Sequence, residues 1–212
     1  MQLTVFAGPS MPAEDRVPIP GVTYARSARR GDVAQAAVNS RSVLLLDGAF
    51  DDDLAPSPKE ILHACRAAKF IGAASMGALR AVECMPFGAH ACGTVARWYA
   101  RGAIDGDDEV AVLVERESER ALTVPLVNVR YLLGLARRFG VLDRTECDAA
   151  LRRAREIFYA DRTWEDVLEA AARSKRTQLA RLTEFADLKR RDARRALRCS
   201  LRLSAGGGDR VA

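Results

Sequence analysis

The sequence predicts an α/β protein: a small, mostly parallel sheet flanked by helices, with a helical C-terminal lobe. Three observations carry this. Short apolar segments of strand length alternate with helix-like segments through the first part of the chain. The run Val43-Leu44-Leu45-Leu46 is apolar without alternation, as suits a parallel strand covered on both faces. Beyond Pro125 the apolar spacing is helical almost to the end. The expected division is residues 1–124 as the α/β core with the candidate catalytic groups, residues 125–204 as a helical lobe packed on it, and residues 205–212 as a disordered tail rich in glycine.

In chain order, Gln2-Leu3-Thr4-Val5-Phe6 alternates and stops at Ala7-Gly8-Pro9-Ser10, a strand running into a turn. Pro12 to Pro20 is a surface loop. Ser27 to Asn39 holds a helix with Asp32 as its cap, and Ser42 to Leu46 is the buried strand, ending at Asp47-Gly48. Pro56-Ser57-Pro58-Lys59-Glu60-Ile61-Leu62 is a helix start: Ser57 caps, Pro58 takes the first helical position, and Glu60 completes a capping box. That helix runs to about Ala68. Phe70-Ile71-Gly72-Ala73-Ala74 then forms a strand that turns at Ser75 into a helix of small residues. After Pro86-Phe87-Gly88 a short helix carries Trp98 and Tyr99, Glu109 to Val114 reads as a strand, and Ala121 to Val124 returns as its hairpin partner. Helices follow over Leu126 to Phe139, Thr145 to Tyr159, Trp164 to Arg173, and Lys175 to about Arg198. Gly140 is the C-cap of the first and Thr163 the N-cap of the third.

The composition, 49% hydrophobic and 29% charged, is that of a soluble globular chain. No apolar run approaches the roughly 20 residues of a membrane span. The N-terminus lacks the basic-then-apolar pattern of a signal peptide, so cytoplasm is the expected compartment. The five cysteines are scattered, without C-x-x-C, and are expected to be reduced and mostly buried. Asp51-Asp52-Asp53 and Asp105-Gly106-Asp107-Asp108 lack the spacing of a calcium loop and read as solvated loops; no metal and no cofactor are expected. From Arg173 to Arg198 ten Lys/Arg face three Asp/Glu, a solvated face or a surface for an acidic partner. Phe185 is the single aromatic residue there, no set of them interleaves to stack bases, and no nucleic-acid module is visible.

In open parallel sheets ligands bind beyond the carboxyl ends of the strands, so the loops at Gly8-Pro9-Ser10, Asp47-Gly48 and Ala74-Ser75 should converge on one crevice. Ser75, between strand and helix, is placed either as a nucleophile or as a helix N-cap. Gly77, costly inside a helix, implies a close approach to the backbone. A serine nucleophile needs a base. Lys59 is the candidate, because orphan N–H groups and the dipole at a helix start disfavour its positive charge and burial would disfavour it further; the alternative is an ordinary solvated lysine. His63, one turn along, is the rival, and His90 is left as structural or exposed. The N–H groups of Met76 and Gly77 are candidate oxyanion donors, with further donors from Gly8 and Ser10. Arg80 either pairs with Glu83 or Asp47 or points into the crevice.

Gly8-Pro9-Ser10, Asp47-Gly48-Ala49-Phe50, Lys59-Glu60-Ile61-Leu62, the string from Gly72 to Glu83, Asp107-Asp108-Glu109-Val110-Ala111-Val112 and Leu126-Val127-Asn128-Val129-Arg130 resemble, in order, the motifs of the TfuA-like proteins. The resemblance covers roughly residues 1 to 135. It implies a partner of a YcaO enzyme, an ATP-dependent cyclodehydratase that activates a peptide amide, in exchanging backbone oxygen for sulfur. It further implies hydrolysis of a thiocarboxylated ubiquitin-like carrier of the ThiS type, releasing sulfide, and promotion of peptide binding by YcaO. The Ser-Lys pair described for the family maps onto Ser75 and Lys59. Asp47, Gly48 and Arg80 join Met76, Gly77, Gly8 and Ser10 as residues expected to line the site. A non-catalytic adaptor that docks on YcaO is the competing reading.

Overall fold

In the computed structural model the sheet has five strands, all parallel: β1 (Leu3–Phe6), β2 (Val22–Ala25), β3 (Ser42–Leu45), β4 (Lys69–Ala73) and β5 (His90–Cys92). Their order is β2-β1-β3-β4-β5. The helices are α1 (Asp32–Asn39), α2 (Pro58–Ala67), α3 (Met76–Cys84), α4 (Gly93–Ala100), α5 (Leu126–Arg138), α6 (Arg144–Glu156), α7 (Trp164–Glu169), α8 (Arg176–Thr183) and α9 (Leu188–Ala205). The structure describes residues 2–51, 53–169, 171 and 173–205; Asp52 and the predicted tail from Gly206 onward lie outside them. The strands expected near Leu3, Ser42 and Phe70 are present. β2 and β5 carried no clear signal, because both are edge strands, partly open to solvent, without an apolar run.

The chain divides into two compact units, residues 1–107 with 189 onward, and residues 108–188. The expected division had one boundary, at 124/125; here the first unit ends at 107 and also takes in the chain from 189, so the last helix belongs with the sheet. Strand alternation sends Leu3, Val5, Leu44, Leu46, Ile71 and Ala73 to one face, where Ala193, Ala196 and Leu197 of α9 cover them. The other face, with Phe6, Val43, Leu45 and Phe70, packs against Val33 and Ala37 of α1, Ile61 and Ala64 of α2, and Ala81 and Cys84 of α3.

Several caps differ from expectation. Asp32 is the first residue of α1 rather than its cap, and Gly31 (φ +93°) holds the cap position. Ser57 accepts from the Glu60 N–H, but the Glu60 carboxylate does not complete a box. It accepts instead from the Val33 and Ala34 N–H groups at 2.9 and 3.2 Å, closing the start of α1. Asp192 of α9 likewise accepts from the Val95 N–H of α4 at 2.8 Å.

Residues 108–188 form a helical unit around Leu126, Val129, Leu132, Ala136, Ala150, Ala154, Val167 and Leu179. Two of the motif strings meet here: buried Glu109 takes a bidentate ion pair from Arg130 at 2.5 and 2.8 Å. The fully buried Arg162 donates to the carbonyls of Ala154, Ile157 and Val124. The expected hairpin reduces to a single antiparallel bridge, Val114 to Ala121, with exposed Val114 and Leu122 finding no core to face. The expected helix from Lys175 to Arg198 is broken into α8 and α9. Asn128 accounts for the break, since its side chain accepts from the Leu188 N–H (3.0 Å) and donates to Asp187 (3.3 Å).

Candidate active site

The order β2-β1-β3-β4-β5 reverses direction between β1 and β3, and such a switch point, at the carboxyl ends, is where parallel sheets hold ligands. Phe6, Leu45 and Gly72 are level in the register, so two residues further along Gly8, Asp47 and Ala74 leave their strands side by side. The loops after β1 and β3 do converge. Asp47, 3% exposed, accepts from the Gly8 N–H (2.9 Å), the Ser10 N–H (3.0 Å) and the Ser10 hydroxyl (2.6 Å). Gly8 and Ser10 therefore spend their donors on Asp47 and are not oxyanion donors. They are the scaffold of this corner.

Ser75 follows a strained turn. Ala74 has φ +67°, and the Ser75 N–H donates to the Ala73 carbonyl two residues back (2.8 Å), a γ-turn of the rare sense. A non-glycine residue in that region is maintained only where its surroundings impose it. Ser75 sits at the N-cap position of α3 with 1% exposure, yet its side chain makes no cap hydrogen bond to the helix. Like α5 and α8, and unlike the other helices packed on the sheet, α3 also starts without a side-chain cap. α1 is closed by Glu60, α2 by Ser57 and α4 by Asp192, whereas no side chain among the described residues accepts from the first-turn N–H groups of α3.

Gly77 requires the close approach expected of it, but to the sheet and not to a ligand. A Cβ there would lie 1.8 Å from the Leu45 carbonyl oxygen, and one at Gly72 2.0 Å from that of Gly77. Its N–H donates to the Leu46 carbonyl at 3.2 Å, so Gly77 is not an oxyanion donor either. The Met76 N–H, at the first helical position, has no intrahelical acceptor. Gly48 packs against Met76 and Pro56, where a Cβ would meet their side chains at 3.1 and 3.2 Å. Arg80 takes the structural option: it pairs with Glu83 at 2.8 Å and donates to the Pro56 carbonyl at 2.7 Å.

Lys59 departs most from expectation. It lies on the exposed side of α2, as does His63, while Glu60, Ile61 and Ala64 form the buried side. The burial that would disfavour its charged form is absent. His90, in β5, is also exposed. A different lysine is buried at this corner. Lys189, near the start of α9, is 3% exposed, and its Nζ is 4.0 Å from Asp47 Oδ1. Sequence reasoning passed over it because it sits in a run of basic residues that reads as a solvated face. The available signal was its spacing: Lys189, Ala193, Ala196 and Ser200 fall on one helical stripe, and all are buried.

The family model for TfuA-like proteins matches residues 47–163, more than half of the chain. The chain belongs to the TfuA-like family. The matched segment of this TfuA-like protein begins at Asp47 and includes Lys59, Ser75 and Arg80; Gly8, Ser10 and Lys189 lie outside it. No curated protein matches the chain. No helix among the described residues is long and apolar enough to cross a membrane.

Proposed function

We propose that this TfuA-like protein serves a YcaO enzyme in peptide backbone thioamidation by hydrolysing a thiocarboxylated, ThiS-type carrier, with Ser75 as nucleophile and a lysine as its base. The observation that carries this reading is the serine itself. Ser75 is held by a strained turn at the carboxyl end of a parallel strand, at a helix start, without capping that helix. The Ser75 hydroxyl gives up its proton to an amine while its oxygen bonds to the thiocarboxylate carbon. The Met76 N–H is suited to the oxyanion that forms. The carbon–sulfur bond breaks, the proton passes to sulfur, and hydrosulfide leaves. Water then hydrolyses the seryl ester, returning the serine and a carrier carboxylate.

Ser75→Ala is expected to lower sulfide release from a thiocarboxylated carrier by about 10³-fold or more. Release at the parent rate would end the reading. The exposure of Lys59 favours a second one, in which the protein is an adaptor that promotes peptide binding by YcaO. Purified protein given the carrier alone separates the two, because the adaptor yields no sulfide.

A further inference from the structure

The hydrolytic reading requires an amine near Ser75, and Lys59 is in solvent. We infer that Lys189, not Lys59, takes the proton from Ser75. This rests on the serine-nucleophile reading and assigns its base to a residue outside the segment that the family model matches.

The geometry is built from three constraints. Leu45 and Gly72 are level on the neighbouring strands β3 and β4, and Asp47 and Ala74 each follow two residues later, so Asp47 leaves β3 next to the turn that leads to Ser75. Lys189 Nζ is 4.0 Å from that carboxylate. Ala193, one turn along α9 from Lys189, packs in the same cluster as Ala73 and Ala74, so this stripe of α9 lies over the end of β4. The start of α9 is anchored to three segments that follow strands: Arg190 pairs with Asp15 after β1, Lys189 approaches Asp47 after β3, and Asp192 accepts from Val95 in the first turn of α4, after β5. A lysine placed in that way, with 3% exposure, is shielded from water in a manner that Lys59 is not.

Asp47 has a defined part in this arrangement. Three donors from Gly8 and Ser10 hold its carboxylate in place, and its separation from Nζ is longer than a hydrogen bond. It therefore serves as a fixed charge that steadies the ammonium formed when the proton arrives. In the acylation step one proton moves from Ser75 Oγ to Lys189 Nζ as the oxygen bonds to carbon. The same proton passes to sulfur as the carbon–sulfur bond breaks. The amine is then neutral again, ready to accept a proton from the water that cleaves the ester.

The test measures the reactivity of Ser75 apart from any carrier, by the rate at which a fluorophosphonate probe labels it between pH 6 and 10. Lys189→Met and Lys189→Arg are compared with Lys59→Ala and the parent, each checked for folding by thermal melting. Arginine retains the positive charge beside Asp47 but does not accept a proton in this range; it also supplies a folded variant should methionine fail to fold. Labelling of both Lys189 variants is expected to fall by about 100-fold or more and to lose the pH dependence of the parent, with Lys59→Ala unchanged. Parent-like rates and pH dependence in Lys189→Arg, or an unlabelled parent, would overturn the inference. Sulfide release from a thiocarboxylated carrier is the separate arm. A parent that labels at Ser75 through Lys189 but releases no sulfide keeps the lysine assignment and removes the thiocarboxylate substrate.

Discussion

At Gly77 the helix and the sheet meet with no room for a side chain. A Cβ would sit 1.8 Å from the Leu45 carbonyl oxygen, which is backbone and cannot rotate away. Gly77→Ala is therefore expected to push α3 off β3, costing about 1–3 kcal/mol in overpacking and losing the Leu46 hydrogen bond. Urea denaturation measures it, and parent-like stability would show that α3 can shift without cost. The serine turn should move with the helix, so the variant is also expected to lose Ser75 reactivity. Gly77 shows how far single residues were legible. A glycine in a helix announced a close neighbour, but nothing local distinguished a substrate from the carbonyl of a strand three elements away. Lys59 shows the opposite failure. Its position at a helix start was read correctly, while its exposure depends on which side of α2 meets the sheet, a fact of packing. Lys189 was missed for the same reason, since none of the other nine Lys/Arg between Arg173 and Arg198 shares its burial.

At the level of elements, the segments that were legible are those with continuous burial or strong boundary chemistry. β3 is buried along its whole length, and α2 opens with Ser-Pro. β2 and β5 were not legible because an edge strand of half-exposed residues has no pattern of its own. α9 was legible as a helix, but its partner was not. Its docking is partly electrostatic: Asp15, in the loop after β1, accepts from both Arg190 and Arg194, and these hydrogen bonds hold its carboxyl well below the usual carboxylate range. The sign follows from linkage. A carboxyl depressed in the folded state stabilises it above the unfolded value, and that contribution is lost as the pH falls below about 4. Asp15→Asn is expected to lower stability at neutral pH and to flatten the acid side of the stability–pH curve. Amide exchange in α9, followed from pH 7 to 3, should show protection falling in the parent and little further change in the variant. An unchanged acid limb would assign the docking to apolar contact alone.

Across the whole molecule, the chain leaves the sheet near residue 107, builds a separate helical unit, and returns at Lys189 to finish the first one. The return is what local patterning could not reveal, because the helices after Pro125 are periodic in the same way whichever core they join. It also divides the family signature from the complete fold. The matched residues 47–163 contain Ser75 but neither β1 nor α9, which supply the scaffold of the corner and the cover of one sheet face. A chain ended after Leu188 would keep every matched residue and uncover Leu3, Val5, Leu44, Leu46, Ile71 and Ala73 together. An apolar face of that extent exposed to water favours association over folding. Losing Leu197 alone forfeits about 1.5–3 kcal/mol of burial, against a total stability of about 5–15 kcal/mol. The truncated chain is expected to aggregate or to lose its cooperative melt, and with it Ser75 labelling, although the family segment is intact. A soluble truncated protein with a sharp thermal transition would show that the sheet stands without α9, and the assignment of Lys189 to the active corner would lose its structural support.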